Sequence, residues 1–193
     1  MKKIVCFILF VFSFGVSFAE SKKIIGFDAG LCTGLPFYGS DELTKCNDRV
    51  FDKDYRRILI GTDADVSVKI GEPLKLVFGV DFLADLIWSG SDYSNHLDYA
   101  FWGGVKVYPG FGGLNGSLAY ALGCRTDYIN NDVEDSIFRS SAWGNGFRIG
   151  IEYDFLYGTD YKCLPAIGTY YRMMPRGNKE YDNILAVYIN MSF

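Results

Sequence analysis

A single histidine, His96, carries whatever imidazole chemistry this chain can perform. Ser94 lies two residues before it and Asp98 two residues after, so on an extended segment all three project from one side. A serine nucleophile needs a base within hydrogen-bond reach and a third group to orient that base. The same pattern also suits a row of polar residues at the top of a strand. That is our reading of His96, and no catalytic residue is assigned. Asp63 and Asp65 form a second pair, of the kind that acid–base work by two carboxylates could use. Lys69 shares their face and Lys75 should lie opposite, so the expected role is an ion-pair network, because buried charge demands a partner. Five cysteines complete the set. Cys6 falls inside an N-terminal apolar run, whereas Cys32 and Cys46 could close a ring of about 15 residues with a disulfide worth ~3 kcal/mol. CxxC spacing is absent, so neither a metal nor another cofactor is expected.

Composition narrows what must position these residues. The chain has 193 residues, 49% hydrophobic, 17% aromatic and 22% charged, with a net charge of −4. Such hydrophobicity excludes a disordered tail, and a pI near 5.0 argues against nucleic acid as a partner. Mean hydropathy of +0.08 is high for an exported globular protein. Yet beyond the N-terminus no apolar run reaches the ~18 residues a membrane helix needs. Lys2 and Lys3 precede an apolar run from Ile4 to Phe18, and Ser17-Phe18-Ala19 presents small residues at the −3 and −1 positions of a cleavage site. Residues 1–19 are expected to be a signal peptide, cleaved after Ala19 on the Sec pathway. Residues 20–193 then form one domain in an oxidising compartment.

From Lys23 onward the hydrophobic period is two. Eight alternating segments can be drawn, at about 23–31, 57–70, 74–86, 96–108, 114–125, 142–155, 161–172 and 184–193. Three connections, at 71–73, 109–113 and 156–160, are short turns with Gly or Pro; the others, at 32–56, 87–95, 126–141 and 173–183, are longer. An even strand number with short turns at one rim and long loops at the other outlines an all-β fold, an eight-stranded antiparallel up-and-down transmembrane β-barrel. Pro165 sits awkwardly in the seventh segment, since a closed barrel has no edge to hide its missing donor. A bulge or a late strand start is expected there. Cys124 and Cys163 should lie at opposite rims of strands that are not neighbours, too far apart to bridge.

The two faces differ in kind. One carries Asp28, Asp63, Asp65, Lys69, Lys75, Asp81, Asp85, Asp98, Lys106, Arg125, Arg148, Glu152, Asp154, Lys162 and Arg172, eight acids against seven bases. The other carries no charge. Glycine is abundant on the charged face, where it would make room for long neighbours inside a narrow barrel. The bulky apolar face is too large for an eight-stranded interior, which side chains only just fill. The apolar face therefore points into lipid, where Arg or Lys would cost ~2–4 kcal/mol at the midplane. Trp88, Tyr99, Trp143 and Tyr171 fall near the loop rim, and Tyr153, Phe155, Tyr161 and Phe193 near the turn rim, as two aromatic belts would.

The last segment, Ile184 to Phe193, sets Leu185, Val187, Ile189, Met191 and Phe193 on one face and ends on an aromatic residue. It resembles the closing strand of bacterial outer-membrane proteins. The whole chain is similar in size and layout to the small eight-stranded class that includes OmpX, the OmpA transmembrane domain and OmpW-like proteins. The resemblance implies an outer-membrane location in a Gram-negative-type envelope, with outer-membrane lipids and the barrel-assembly machinery as partners. In that class the five closing-strand residues form an assembly signal; this barrel is expected to be a monomer. Lipid A-modifying barrels use a His–Ser dyad or a His/Asp/Ser cluster, and His96-Leu97-Asp98 lacks the His-x-Ser form. The expected function is non-enzymatic. A side-chain-filled lumen would display acidic, aromatic-bearing loops (Asp41 to Arg57; Asp127 to Arg139) to an extracellular ligand or host surface, or would serve envelope integrity. The alternatives are a narrow OmpW-like channel for small or hydrophobic solutes and, more remotely, a lipid-modifying enzyme.

Overall fold

The computed structural model describes residues 24–51, 54–131, 134–177 and 180–193, without the side chains of residues 42, 46, 49–51, 131 and 134–137. The expected signal peptide therefore lies outside the described residues. Alternating side chains produce the strands β1 (Ile25–Phe37), β2 (Arg56–Gly71), β3 (Leu74–Ser89), β4 (Asp92–Val107), β5 (Leu114–Asn131), β6 (Glu134–Ser140), β7 (Gly144–Asp154), β8 (Leu164–Gly177) and β9 (Glu180–Ser192). Among the described residues one helix, α1 (Asp41–Phe51), interrupts them. All pairings are antiparallel, in the order β4-β3-β2-β1-β9-β8-β7-β5-β6, and a β4–β5 ladder closes the ring. Both β6 and β7 pair with β5, β6 along its last residues and β7 along its first. Together they are one strand broken at residues 141–143, so the barrel has eight strand positions.

The register sets the barrel's geometry. From Leu31, cross-strand partners run through Thr62, Phe82 and Tyr99 to Cys124. In the opposite direction they run through Ile189, Ile167 and Tyr153 to Leu114. The circuit returns to β5 ten residues from where it left. For eight strands this stagger corresponds to a tilt of about 40° and a radius of about 8 Å. So narrow a cylinder has no space for a second layer, and its lumen must be filled from its own inward face.

That face is the charged one. Leu118, Tyr120 and Leu122 of β5, Phe78 and Val80 of β3, and Leu185, Val187 and Ile189 of β9 are all exposed on the outside. Aromatic rings cluster there: Trp143 meets Tyr99 edge-on at 5.8 Å and stacks on Phe101 at 6.4 Å, while Tyr153 packs on Phe155 at 4.8 Å. At the seam, Phe193 N donates to Phe27 O at 2.9 Å, closing the C-terminal strand onto the first.

The long connections expected at one rim are largely strand. β3 and β4 run to Ser89 and from Asp92, and β8 and β9 run to Gly177 and from Glu180. The segment from Asp127 to Arg139 is the β5–β6 hairpin, and much of the segment from Asp41 to Arg57 is α1. Beyond the apolar belt both faces turn polar, so the period that marks a strand in the sequence fades while the ladder continues. Pro165 is accommodated by a late start: β8 begins at Leu164, and Pro165 pairs with Met191 at its outset. Glycines on the inner face act mainly between strands rather than for charged neighbours. A Cβ on Gly146 would lie 1.8 Å from Met173 O, and one on Gly104 would lie 2.1 Å from Leu118 O.

Candidate functional site: the charged lumen and its two mouths

The lumen is filled in three tiers. At mid-height Arg148 donates from Nη2 to Asp63 Oδ2 at 2.7 Å, and Asn190 donates to the other oxygen of Asp63 at 3.0 Å. The guanidinium lies 4.0 Å from the centroid of Trp102 and 4.1 Å from that of Tyr170, so aromatic faces cover a cation that a carboxylate neutralises. Three strands that are distant in sequence meet here, because the stagger brings β2, β7 and β9 residues to one level.

Above this tier lies an arginine–aspartate lattice. Arg172 bonds Asp81 at 2.5 Å and also Asp98; Arg176 bonds Asp98 at 2.5 Å and Asp182 at 2.7 Å. Arg125 bonds Asp182, and its Nε reaches Asp127 at 2.8 Å. Arg57 grips Asp85 with two bonds of 2.8 Å, and Tyr38 OH adds a third at 2.9 Å. Planar guanidinium groups suit such forked pairing, and every buried charge in the lattice has a partner.

At the mouth above the lattice sits the histidine. His96 Nδ1 lies 2.8 Å from Asp127 Oδ1, and its Nε2 lies 3.2 Å from Ser94 Oγ and 3.0 Å from Asn47 Oδ1. The acid beside His96 is therefore Asp127 from the neighbouring strand, and Asp98 turns instead to the arginines. Ser94, His96 and Asp127 have the order of a nucleophile relay, but Ser94 and His96 are 0% exposed. Ser94 Oγ donates to Asn47 Oδ1 at 2.6 Å, so α1 occupies the place where a substrate carbonyl would approach. The cluster acts as a latch that seats the helix. Ser40 and Asp41 begin α1 in the manner of a helix cap. Leu43 and Asn47, four apart, face down together, Leu43 packing with Ile129.

The tier at the turn-side mouth uses lysine. Lys106 Nζ is shared among Glu152 at 3.0 Å, Asp28 at 3.4 Å and Asp65 at 3.8 Å. Asn115 and Tyr188 OH also bond Glu152, at 3.0 and 2.9 Å. Tyr108 OH donates to Asp154 at 3.1 Å and accepts from Lys75 at 3.1 Å.

Of the fifteen charged residues placed on the inner face from sequence, twelve are buried. Lys75 is half-buried at the mouth. Two need correction. Lys69 is exposed and bonds Glu72 at 2.7 Å, holding the Glu72 carboxyl below its ordinary range, because β2 leaves the wall in a register shift beside it. Lys162 is exposed and precedes β8, whose start is later than the alternation suggested. Sequence reasoning missed Arg176 and Asp182, which sit on the strand ends drawn as a loop, and did not place Asp127 on the inner face. Continuing the alternation past residues 125 and 172 would have found Asp127 and Arg176. Cys32 lies on β1, not in a loop, with its thiol buried 3.8 Å from Phe82 O. The side chain of Cys46 lies outside the described residues. Cys124 is buried and Cys163 half-buried.

No protein-family model matches the chain, and no curated protein sequence matches it. Solved structures do. Ail, the attachment invasion locus protein of Yersinia pestis, superposes with a TM-score of 0.60 at 8% identity, over 88% of this chain and 97% of Ail. Ail has also been solved in complex with the heparin analogue sucrose octasulfate. Neisserial surface protein A superposes with a TM-score of 0.53 at 11% identity, over 90% of this chain and all of that one. The chain has the closed antiparallel eight-strand fold of small outer-membrane barrels.

Proposed function

We propose that this protein is a non-enzymatic integral outer-membrane barrel that does not conduct, and that it presents its hairpin rim and α1 at the cell surface. The observation that carries this reading is the filled lumen: Arg148–Asp63 and the Arg172–Asp81–Asp98 group cross it at successive levels with their side chains buried. A water path would have to separate ion pairs that lack solvent to replace their partners. The short turns would face the periplasm, and β5–β6, β3–β4 and β8–β9 would continue outward beyond the apolar belt. Ail and Neisserial surface protein A, with their names of attachment and surface exposure, support surface display as the role of such a frame. On this reading the barrel-assembly machinery reads β9 through Leu185, Val187, Ile189, Met191 and Phe193, and the export signal is removed after Ala19. The test is planar-bilayer recording on the folded protein. The expected trace is silent, and steady single-channel steps would reject the proposal in favour of a narrow channel.

A further inference from the structure

We infer that the turn-side mouth of the barrel binds an organic dication, two primary ammonium groups joined by a short alkyl chain. A cavity of about 620 Å³ opens there, lined among others by Asp28, Lys75, Tyr108, Asp154, Ser192 and Phe193. That volume lies in the range of small-molecule sites. Charge at the two ends of the lumen is organised differently. Above mid-height and at it, six aspartates are ion-paired with six arginines. In the cavity and the tier behind it, Asp28, Asp65, Glu72, Glu152, Asp154 and Asp160 face only Lys69, Lys75, Lys106 and Lys162 among the described residues. Counted over the described residues, the mouth is two positive charges short.

Unpartnered polar atoms fall at the cavity wall and directly behind it. Ser192 lines the cavity and is 3% exposed, and its Oγ has no hydrogen-bonding partner in the protein; neither has Oδ1 of Asp65, which is 4% exposed. Asp28 pairs across the ladder with Asp65 on one side and Ser192 on the other, so the three stand at one level on adjacent strands. Lys106 is already divided among three carboxylates and cannot also serve these atoms. The carboxylate oxygen calls for an N–H donor carrying positive charge, the Ser192 hydroxyl can accept from the same group, and an anion would be repelled. A metal ion suits the place less, since among the described residues no three acidic, histidine or cysteine side chains are grouped to hold one. The walls suit an alkyl ammonium: Tyr108 and Tyr157 stack at 4.4 Å, and Tyr108 already lies under the Lys75 ammonium at 4.7 Å. One ammonium group would sit against Asp28 and Ser192, with the Asp65 carboxylate behind them, and the other near Asp154.

Cadaverine, 1,5-diaminopentane, is the probe, titrated by calorimetry into the folded barrel in detergent micelles. Saturable one-to-one binding is expected, weakened at least tenfold by Asp65→Asn and severalfold by Ser192→Ala. Both variants must first keep the heat-shifted gel mobility of a folded barrel; if Asp65→Asn does not fold, Ser192→Ala alone decides. The titration is also run on a Lys22→Gln/Lys23→Gln chain, because two lysines precede Ile24 in the sequence. Saturable binding to either chain supports the site. Absence of binding in both, or equal affinity in the variants, overturns it. So does equal affinity for n-pentylamine, which carries one charge, or displacement of cadaverine by an equal concentration of Ca²⁺.

Discussion

Arg148→Met removes one charge from the centre of the barrel while keeping most of the side chain's volume. Asp63 is left with Asn190 at 3.0 Å as its remaining hydrogen-bond donor, in a lumen that buries it almost completely. Breaking a buried pair by removing one partner costs about 3–5 kcal/mol. Losing the cation between Trp102 and Tyr170 adds about 1 kcal/mol, part of which the methionine regains by packing on the same rings. The expected loss is therefore about 4 kcal/mol. A second substitution, Asp63→Asn, removes the orphaned charge, and the double variant should recover about 2 kcal/mol of that loss. Urea unfolding of the refolded protein in phospholipid vesicles, followed by tryptophan fluorescence, measures all three variants, and Trp102 reports from the site itself. Additive effects of the two substitutions would refute the reasoning. So would a loss below about 1 kcal/mol for Arg148→Met, since either result means that Asp63 and Arg148 do not neutralise each other at mid-lumen.

Three further predictions test the wall of the barrel. Val80→Arg, on the outer face of β3, should cost about 2–4 kcal/mol in the same vesicle assay; a neutral result would mean that this face does not meet lipid. Gly146→Ala should abolish the heat-shifted folded band on a gel, because its Cβ would lie 1.8 Å from the Met173 carbonyl oxygen. Gly71→Ala should leave that band intact, since nothing lies within 4 Å of the added atom.

Much of the frame could be read from residue alternation. A strand shows its two faces within itself, so Asp63, Asp81, Arg148 and Glu152 could be assigned to the lumen without knowing any partner. The same rule failed where its premise lapsed. Past residue 125 and around residues 173–183 the outward positions are no longer uniformly apolar, and strand ends carrying Asp127, Arg176 and Asp182 passed for loops. Helix α1 was hidden for a related reason: of its described side chains the buried ones are Leu43 and Asn47, one apolar and one polar. Asn47 is recognisable as a latch only once Ser94 and His96 stand beneath it.

What the amino-acid order determined by itself was therefore local: a period of two, a charged face and an apolar one, short turns, and an aromatic closing strand. Which charge meets which was decided only by closure. Asp81 and Arg172 are 91 positions apart, and Asp63 and Asn190 are 127 apart. They meet because eight strands close with a stagger of ten residues. Alternation assigns a side chain to a face, but only the register around the ring sets its height in the lumen, and ion pairing depends on height.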